Sequence, residues 1–397
     1  MSQLLNEDKK YLLNVYNRLD LEIERAEGSY LFDKNGDKYL DMFSGIAVNA
    51  LGQNQNDLKE AIKNQLDKYL HLSNYFASKP VVDLAQLLVE NSFASKVFFS
   101  NSGSEANEAA LKLARLYAKN KAENKVEFLA ASDAFHGRTI GSLSLTGRKK
   151  YREQFKPLVP EVNHFNFNDS KDLEKKVSKK TAAVFIEVIQ GEGGIHEVDK
   201  EFINTLVKLR EKYNLLIIVD EIQSGMGRSG DFFAYEKFDF KPDLLTLAKS
   251  LGGGLPLGAL LVSEKLEDVF SYGEHGSTFG GNPVACAVGK KVVERILDEN
   301  FKKELKNKSD YLQSKLNELK AKFPEIIKEI RGRAFILGIE CGDYAKTIKE
   351  KALKRNLLLN VTDNTVIRLL PPLNIAKNDL DKFLSFFENI LKDIDKK

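Results

Sequence analysis

Residues 182–220, AAVFIEVIQGEGGIHEVDKEFINTLVKLREKYNLLIIVD, decide the fold of this chain. The stretch opens with an apolar run at 182–189, passes through a helical pattern and closes with a second apolar run at 215–220. Such runs are typical of parallel strands that helices cover on both faces. Similar runs occur at 97–100 and 126–131. The middle of the chain is therefore predicted to form a doubly wound α/β sheet, with a ligand site at the carboxyl edge of its strands.

Different patterns flank this central region. Near the N-terminus, Asn35 and Gly36 separate two aromatic-rich runs, as the turn of a β-hairpin does. Beyond about residue 290, helically spaced leucines alternate with strand-like runs at 334–340 and 365–370. This part of the chain is predicted to be a smaller α+β lobe.

These changes of pattern predict three regions. We expect an N-terminal segment at 1–55 that contributes to a small domain, and a large ligand-binding α/β domain at 56–289. The remainder, 290–397, is expected to form the C-terminal small α+β domain.

The charge balance excludes several classes of partner. Among 397 residues, 60 lysines and arginines face 57 aspartates and glutamates, which leaves a net charge of +3. Because the positive and negative charges are nearly equal in number, they cannot supply the one-sided basic field that nucleic acid or an anionic membrane requires. We therefore expect neither as a partner.

Cysteine and histidine usage argues against disulfides and metals. Cys286 and Cys341 have no CxxC spacing, and the five histidines form no ligand-like pair.

The N-terminal stretch has no apolar core of signal-peptide length, and no later run approaches about 18 uninterrupted apolar residues. We expect a cytoplasmic protein without a metal site.

A phosphate site is predicted where the strand at 97–100 ends. The loop 101–104 (NSGS) follows that strand, and a helix then opens with Glu105 in its first turn. Free N–H groups and hydroxyls at the positive end of a helix suit a phosphate. The alternative interpretation is an ordinary helix N-cap, because Ser and Asn are preferred at that position.

An acid and an amine close two of the apolar strands. Asp220 ends LLIIVD and Lys249 ends LLTLAK, so both can face one crevice. Burial disfavours the charged form of a lysine, and a neutral amine there could form a Schiff base. A structural ion pair, or two solvated loop residues, are the alternatives.

Two arginines stand in unusual surroundings. Arg138 follows a core strand in AFHGRT, and Arg368 lies within the apolar run TVIRLLPPL. A buried guanidinium needs a partner, and its fork matches a carboxylate. The pair predicts a dicarboxylate substrate, although each could also be a structural ion pair.

One glycine motif suggests a different class of enzyme. GMGRSG at 225–230 satisfies GxGxxG downstream of a strand, as in dinucleotide-binding folds. No apolar helix follows it to hold a pyrophosphate. A nicotinamide or flavin enzyme is therefore the less favoured interpretation.

Seven segments together resemble the class III pyridoxal-phosphate-dependent aminotransferases of the aspartate aminotransferase superfamily. They occur in family order over essentially the whole chain: NSGSEANEAA, AFHGRT, VIQGEGG, VDEIQSGMGRSG, LLTLAKSLGGGLPLGA, HGSTFGGNP and VIRLLPPL. The resemblance implies an aspartate aminotransferase-like fold (fold type I), in which a large doubly wound, mostly parallel sheet domain accompanies a small α+β domain. It also implies pyridoxal 5'-phosphate as the cofactor.

The resemblance assigns roles around that cofactor. Lys249 would hold it as a Schiff base and later move the proton, and Asp220 would pair with the pyridine nitrogen. Gln223 would reach the phenolic oxygen, while Phe135 would stack on the ring.

The phosphate contacts follow from the same resemblance. Ser102, Gly103 and Ser104 would cradle the phosphate. Thr278 would reach the phosphate of the neighbouring subunit, which implies a homodimer with shared active sites. Ser277 would contact the substrate.

The substrates are also implied by the resemblance, which is greatest to family members that act on N-acetylornithine. Arg138 would bind the carboxylate of acetylornithine and the γ-carboxylate of glutamate, while Arg368 would bind the α-carboxylate of glutamate. Glu192 would pair with Arg368 when that carboxylate is absent. The implied reaction passes the δ-amino group to 2-oxoglutarate in arginine biosynthesis.

Other donors share this chemistry. Ornithine, succinylornithine, succinyldiaminopimelate and 4-aminobutyrate differ from N-acetylornithine by groups that a pocket discriminates by only about 1–3 kcal/mol. A non-catalytic relative that acts as a binding protein is the alternative from a different functional class.

Overall fold

The computed structural model describes residues 3–121 and 124–396. Its helices, in chain order, are α1 (Gln3–Tyr11), α2 (Ser44–Ala47), α3 (Asn56–Leu66), α4 (Lys79–Glu90), α5 (Gly103–Asn120), α6 (Ile140–Leu145), α7 (Lys149–Arg152), α8 (Ser170–Lys176), α9 (Lys200–Tyr213), α10 (Pro283–Leu297), α11 (Glu299–Lys322), α12 (Tyr344–Leu353) and α13 (Lys377–Asp395). Short 3-10 helices lie at Glu153–Phe155, Ala234–Lys237, Lys249–Gly252 and Glu264–Leu266.

The strands of the described residues belong to four sheets. They are β1 (Ile23–Glu27), β2 (Tyr30–Asp33), β3 (Lys38–Asp41), β4 (Lys96–Ser100), β5 (Glu127–Ala131), β6 (Val162–Phe165), β7 (Thr181–Ile186), β8 (Ile189–Gln190), β9 (His196–Glu197), β10 (Leu216–Asp220), β11 (Leu244–Leu247), β12 (Gly258–Val262), β13 (Glu329–Arg333), β14 (Ile336–Glu340), β15 (Leu357–Leu358), β16 (Asn360–Thr362) and β17 (Val366–Leu369).

A seven-stranded sheet forms the centre of the molecule, in the order β4-β12-β11-β10-β7-β5-β6. The four pairings from β11 to β6 are parallel, whereas β12 runs antiparallel to both β11 and β4. This arrangement confirms the doubly wound, mostly parallel sheet predicted from the apolar runs.

Apolar residues cover both faces of this sheet. In β10, Ile217 and Val219 belong to one hydrophobic cluster, whereas Leu216 and Ile218 belong to a second one that includes α5. Successive residues of a strand point to opposite faces, so both faces must be buried. Apolar and polar residues do not alternate along β10 because both faces of the sheet are buried.

Smaller sheets flank the central one. The predicted hairpin exists, because β2 and β3 pair antiparallel around Asn35 and Gly36, and β3 then pairs in parallel with β15. A second four-stranded sheet has the order β13-β14-β17-β16. We propose the same division into 1–55, 56–289 and 290–397 as before; the pairing of β3 with β15 supports the assignment of the N-terminal segment to the C-terminal lobe.

Among the described residues, no helix combines the length and the apolarity needed to cross a bilayer.

Candidate active site

A cavity of about 370 Å³ opens at the carboxyl edge of the central sheet. The segments that follow β4, β5, β7, β10 and β11 supply most of its wall. The structure thereby brings together eight of the predicted site residues as lining residues: Ser102, Gly103, Ser104, Phe135, Glu192, Asp220, Gln223 and Lys249.

The start of α5 forms one end of the cavity. Ser102 is the N-cap, and its Oγ accepts a hydrogen bond from Glu105 N at 3.3 Å. A Cβ at Gly103 would lie 2.6 Å from Ile222 Cδ1, so any larger residue would require that side chain to shift. Ser104 Oγ accepts from Arg138 N at 3.2 Å. The two interpretations of this loop are therefore compatible, since the residue that caps the helix also lines the cavity.

Asp220 lies at the floor of the cavity, at the end of β10. Its Oδ2 accepts hydrogen bonds from Asn107 Nδ2 and His136 Nδ1, each at 2.8 Å, and its Oδ1 accepts from Ile222 N at 3.0 Å. The carboxylate is only 4% exposed. Three donors hold it in one orientation and offset the cost of burying its charge.

Sequence reasoning missed the residues behind Asp220. Thr246 Oγ1 donates to Asn107 Oδ1 at 2.9 Å, and Asn107 Nδ2 also donates to His136 O at 2.7 Å. A polar Asn107 on the apolar face of α5 was the available signal. His136 Nε2 is buried without a hydrogen-bond partner among the described residues.

His136 is coupled to Asp220 electrostatically. Burial lowers the pKa of the imidazole, but the hydrogen bond and the charge of Asp220 outweigh it, so the net pKa lies above the ordinary value. The hydrogen bond and the charge of Asp220 therefore favour the protonated form of the His136 ring.

Lys249 begins the 3-10 helix that follows β11, in a backbone conformation with φ of 44°. Residues other than glycine rarely adopt this left-handed backbone conformation, because it is strained. Backbone strain of this kind concentrates at functional sites. Burial lowers the pKa of the Lys249 amine, although the nearby Glu192 carboxylate acts in the opposite direction. The cavity thus favours a neutral, nucleophilic amine.

Glu187 is a third lining carboxylate, beside Asp220 and Glu192, and sequence reasoning did not assign it a role. Its Oε2 accepts from Phe135 N at 3.0 Å and its Oε1 from Gly191 N at 3.3 Å. Burial raises the pKa of this carboxyl to about 7, while the charge of His136 opposes that shift. Glu187 fixes the backbone that carries the Phe135 ring.

Arg368 lies behind the cavity wall and is 2% exposed. Its Nη1 donates to Glu192 Oε1 at 2.5 Å, to Gly191 O at 2.6 Å and to Gln223 Oε1 at 3.2 Å. Burial alone would raise the pKa of Glu192, but the Arg368 charge outweighs it and lowers the pKa below its ordinary value. Glu192 and Gln223 thus separate the guanidinium from the cavity.

Three other predicted residues lie outside the cavity lining. Arg138 is exposed and packs over the Tyr151 ring, with Cζ 4.2 Å from the ring centroid. Ser277 Oγ accepts from Asn101 Nδ2 at 3.0 Å. Thr278 is exposed and is not among the residues that line the cavity.

The site suits a phosphorylated aromatic aldehyde. Its volume falls in the range of small-molecule pockets, about 300–1,000 Å³. The start of a helix, with no Cβ at Gly103, can receive a phosphate, while a fixed carboxylate at Asp220 can pair with a ring nitrogen. The amine of Lys249 faces the same space.

Comparisons with known proteins point to one family. The family model for class-III aminotransferases matches residues 13–391. The acetylornithine aminotransferase of Clostridium acetobutylicum is 45% identical over 386 residues, covering 97% of this chain and all of that protein. The corresponding protein of Aquifex aeolicus is 44% identical, covering 96% of this chain and all of its own length.

Solved structures agree with this result. An ornithine aminotransferase from Toxoplasma gondii, with PLP at partial occupancy in its active site, superposes with a TM-score of 0.92 at 28% identity and covers 99% of this chain and 94% of that one. An N-acetylornithine aminotransferase from Stenotrophomonas maltophilia gives a TM-score of 0.85 at 31% identity, covering 98% and 99%. The chain therefore belongs to the class III aminotransferases and is a pyridoxal-phosphate-dependent enzyme with the fold type I architecture.

Proposed function

We propose that this enzyme moves the δ-amino group of N-acetylornithine to 2-oxoglutarate and releases N-acetylglutamate semialdehyde and glutamate. The names of the relatives at 40–45% identity over nearly the whole chain support this donor. The structural observation that carries the proposal is the pairing of Arg368 with Glu192 at the cavity wall. A reaction of this kind has its place in arginine biosynthesis.

Residues of this chain would hold pyridoxal phosphate at both ends. Ser102, Gly103 and Ser104 would receive the phosphate at the start of α5, and Asp220 would pair with the ring nitrogen. When bound, the cofactor supplies an aldehyde that accepts an amino group and a ring that withdraws electrons from the carbon bearing that group. Phe135 would cover the ring face, and Gln223 would reach the phenolic oxygen.

Lys249 would have two duties. Its neutral amine, which the lowered pKa favours, would hold the cofactor by condensing with the aldehyde and releasing water. Lys249 Nζ would also be placed to accept a proton from the substrate carbon next to nitrogen and to donate one back. Asp220, held by Asn107 and His136, would keep its orientation throughout.

Two arginines would allow one site to accept two different acids. Arg138, at the exposed rim, would bind the distal carboxylate of either substrate. N-acetylornithine has no carboxylate next to its reacting carbon, so Glu192 would stay on Arg368. 2-Oxoglutarate has one, and it would replace Glu192 there. Because Glu192 is 22% exposed and Arg368 is 2% exposed, the glutamate is the partner that can swing away.

We further propose a homodimer with shared sites. Large apolar side chains that a single chain leaves exposed support it: Tyr11, Leu13, Val15, Tyr16, Tyr75, Phe76, Tyr272 and Phe279. Two of them, Tyr272 and Phe279, flank Ser277 and Thr278, so an interface formed there would bring Thr278 against a second chain. Ser277 would contact the substrate through the same loop.

We propose a cytoplasmic location for the enzyme. Cys286 and Cys341 are both buried and free, and burial raises the pKa of each thiol to about 12. Unpaired thiols are typical of proteins in a reducing compartment.

A half-reaction screen tests the proposed donor. Purified enzyme loaded with pyridoxal phosphate is mixed with N-acetylornithine, ornithine, succinylornithine, succinyldiaminopimelate or 4-aminobutyrate, and the loss of the aldehyde-form absorption is followed. We expect the highest rate per molar donor with N-acetylornithine. A higher value for any other donor would identify that compound as the substrate instead.

A further inference from the structure

The guanidinium of Arg368 has a second partner that its predicted role does not include. Asn360 Oδ1 accepts hydrogen bonds from Arg368 Nε at 2.9 Å and from Arg368 Nη2 at 2.7 Å. One amide oxygen thus covers the Nε–Nη2 edge of the fork, which is one of the two edges that bind a carboxylate bidentately.

The opposite end of the fork has different partners. Glu192 Oε1 accepts from Nη1 there, next to Gly191 O and Gln223 Oε1. A carboxylate that displaced Glu192 would therefore meet Nη1 and the remaining N–H of Nη2. The edge held by Asn360 is closed to it, so only one approach to Arg368 remains.

Strand pairing fixes Asn360 in place. Asn360 in β16 lies directly opposite Arg368 in β17, and residues opposite each other in an antiparallel pair share a face of the sheet. Two residues along the same strand, Thr362 Oγ1 donates to Glu192 O at 2.7 Å. One short strand therefore holds both the plane of the guanidinium and the backbone of Glu192.

The charge of the partner matters as much as its position. The Asn360 amide is neutral, so it orients Arg368 without neutralising it, and the positive charge stays available to a carboxylate. An aspartate in the same place would offer a charged oxygen on the closed edge and would compete with Glu192 and with substrate.

We propose that Asn360 is a positioning residue that keeps Arg368 orientated without neutralising its charge, so that Glu192 and the α-carboxylate of 2-oxoglutarate can exchange on it. The proposal rests on the proposed function, since it deepens the role of the same arginine. It predicts that residue 360 governs one half-reaction and leaves the other almost unchanged.

Asn360→Asp in the full-length holoenzyme tests this directly. The two half-reactions are measured separately by single-turnover spectroscopy: the aldehyde form with N-acetylornithine or glutamate, and the amino form with 2-oxoglutarate. We expect the concentrations of 2-oxoglutarate and glutamate needed for half-maximal rate to rise at least tenfold, while that of N-acetylornithine changes by less than about threefold. Asn364→Asp, an exposed site in the turn between β16 and β17, controls for the added charge.

Asn360→Ser keeps the test valid if the aspartate variant does not fold. It removes the amide oxygen without adding charge, so the effect should be smaller but confined to 2-oxoglutarate and glutamate. Equal losses in both half-reactions, or no loss with 2-oxoglutarate, would overturn the proposal. A wild-type enzyme inert to N-acetylornithine would instead refute the proposed donor, and the glutamate comparison would still decide the role of Asn360.

Discussion

Lys249 shows how local backbone and burial combine at a single residue. It follows a strand of entirely buried residues and adopts a left-handed φ of 44°, which places its amine in the cavity rather than in the sheet. The cost of that conformation, on the order of 1–2 kcal/mol, must be offset by the packing around it. Burial then favours the neutral amine.

Arg138→Lys tests the shared carboxylate clamp at the residue scale. A lysine keeps the charge but loses the planar fork that binds a carboxylate bidentately. We expect kcat/KM to fall about 10- to 100-fold for both N-acetylornithine and 2-oxoglutarate. Steady-state kinetics with each substrate measures this. Arg115→Lys is the control, because Arg115 is also exposed and packs over a ring, that of Phe128, away from the cavity. A normal response of the Arg138 variant to either substrate contradicts a shared clamp.

Glu221 gives a prediction about pH. It is fully buried and accepts from Ala234 N at 2.7 Å and Tyr235 N at 2.8 Å. Burial raises its pKa from 4.5 to about 8, and the two N–H donors oppose that shift. The folded state therefore binds the extra proton between these values, so the contribution of Glu221 to the free energy of unfolding falls as pH rises from about 4.5 to about 8.

Glu221→Gln removes this titration. The stability advantage of the wild type over the variant should shrink by on the order of a few kcal/mol between pH 5 and pH 8. Thermal unfolding of both proteins across that range measures the difference. A constant or widening gap would show that Glu221 is already ionised in the folded protein at pH 5.

At the scale of elements, α5 positions both ends of the site. Its N-terminus receives the proposed phosphate, and one turn further Glu108 Oε1 accepts from Thr139 Oγ1 at 2.6 Å, Gly141 N at 2.8 Å and Ser142 N at 3.1 Å. Glu108 thereby fixes the start of α6, directly after Arg138. The helix thus links the proposed phosphate end of the cavity to the proposed carboxylate clamp at Arg138.

Glu108→Ala is expected to loosen that link. The loss of the capping contacts should cost about 1–2 kcal/mol of stability, and the KM values of both carboxylate substrates should rise several-fold because Arg138 is less well fixed. Asp169→Ala is the matched control, since Asp169 caps α8 at a distance from the cavity. The control should lose similar stability with unchanged KM values; parallel kinetic effects in the two variants would refute a positioning role for Glu108.

The positions of the central strands could be predicted from the sequence because the apolar runs that form them are local features. The apolar runs at 182–189 and 215–220 became β7 and β10, although β7 ends at Ile186. Glu187 turns away to hold the Phe135 backbone, a long-range contact that hydrophobicity does not encode. The antiparallel entry of β12 between β11 and β4 was likewise not predicted, since a fully buried strand carries no sign of its direction.

The site residues likewise include some that local sequence patterns predict and some that depend on contacts distant in the chain. Asp220 and Lys249 could be singled out because each closes an apolar run, and the structure places both in one cavity. Thr246 and Asn360 could not, because their roles depend on partners far away in the chain or across a strand pair, and Asn107 offered only the signal of a polar residue on an apolar helix face. The roles assigned through the family resemblance stay predictions for each residue.

At the scale of the whole molecule, the proposed sharing of sites between two chains can be tested by complementation. Lys249→Ala disables its own cavity, and Thr278→Ala should weaken cofactor binding in the partner's cavity. In a hybrid dimer, one cavity has Lys249 from the second variant and Thr278 from the first. Mixing the variants at limiting cofactor should therefore restore activity in roughly a quarter of the sites, as random pairing of chains predicts. A mixture no more active than the separate variants contradicts the proposed sharing.

Covalent capture of the cofactor bears most directly on the whole account. The holoenzyme is treated with borohydride, which makes a bond between an amine and the cofactor aldehyde irreversible, and the labelled peptide is then mapped by mass spectrometry. The account predicts a single label on Lys249, absent from the Lys249→Ala variant and present in a Lys303→Ala control. A label on another lysine, or a protein that takes up none, would contradict it.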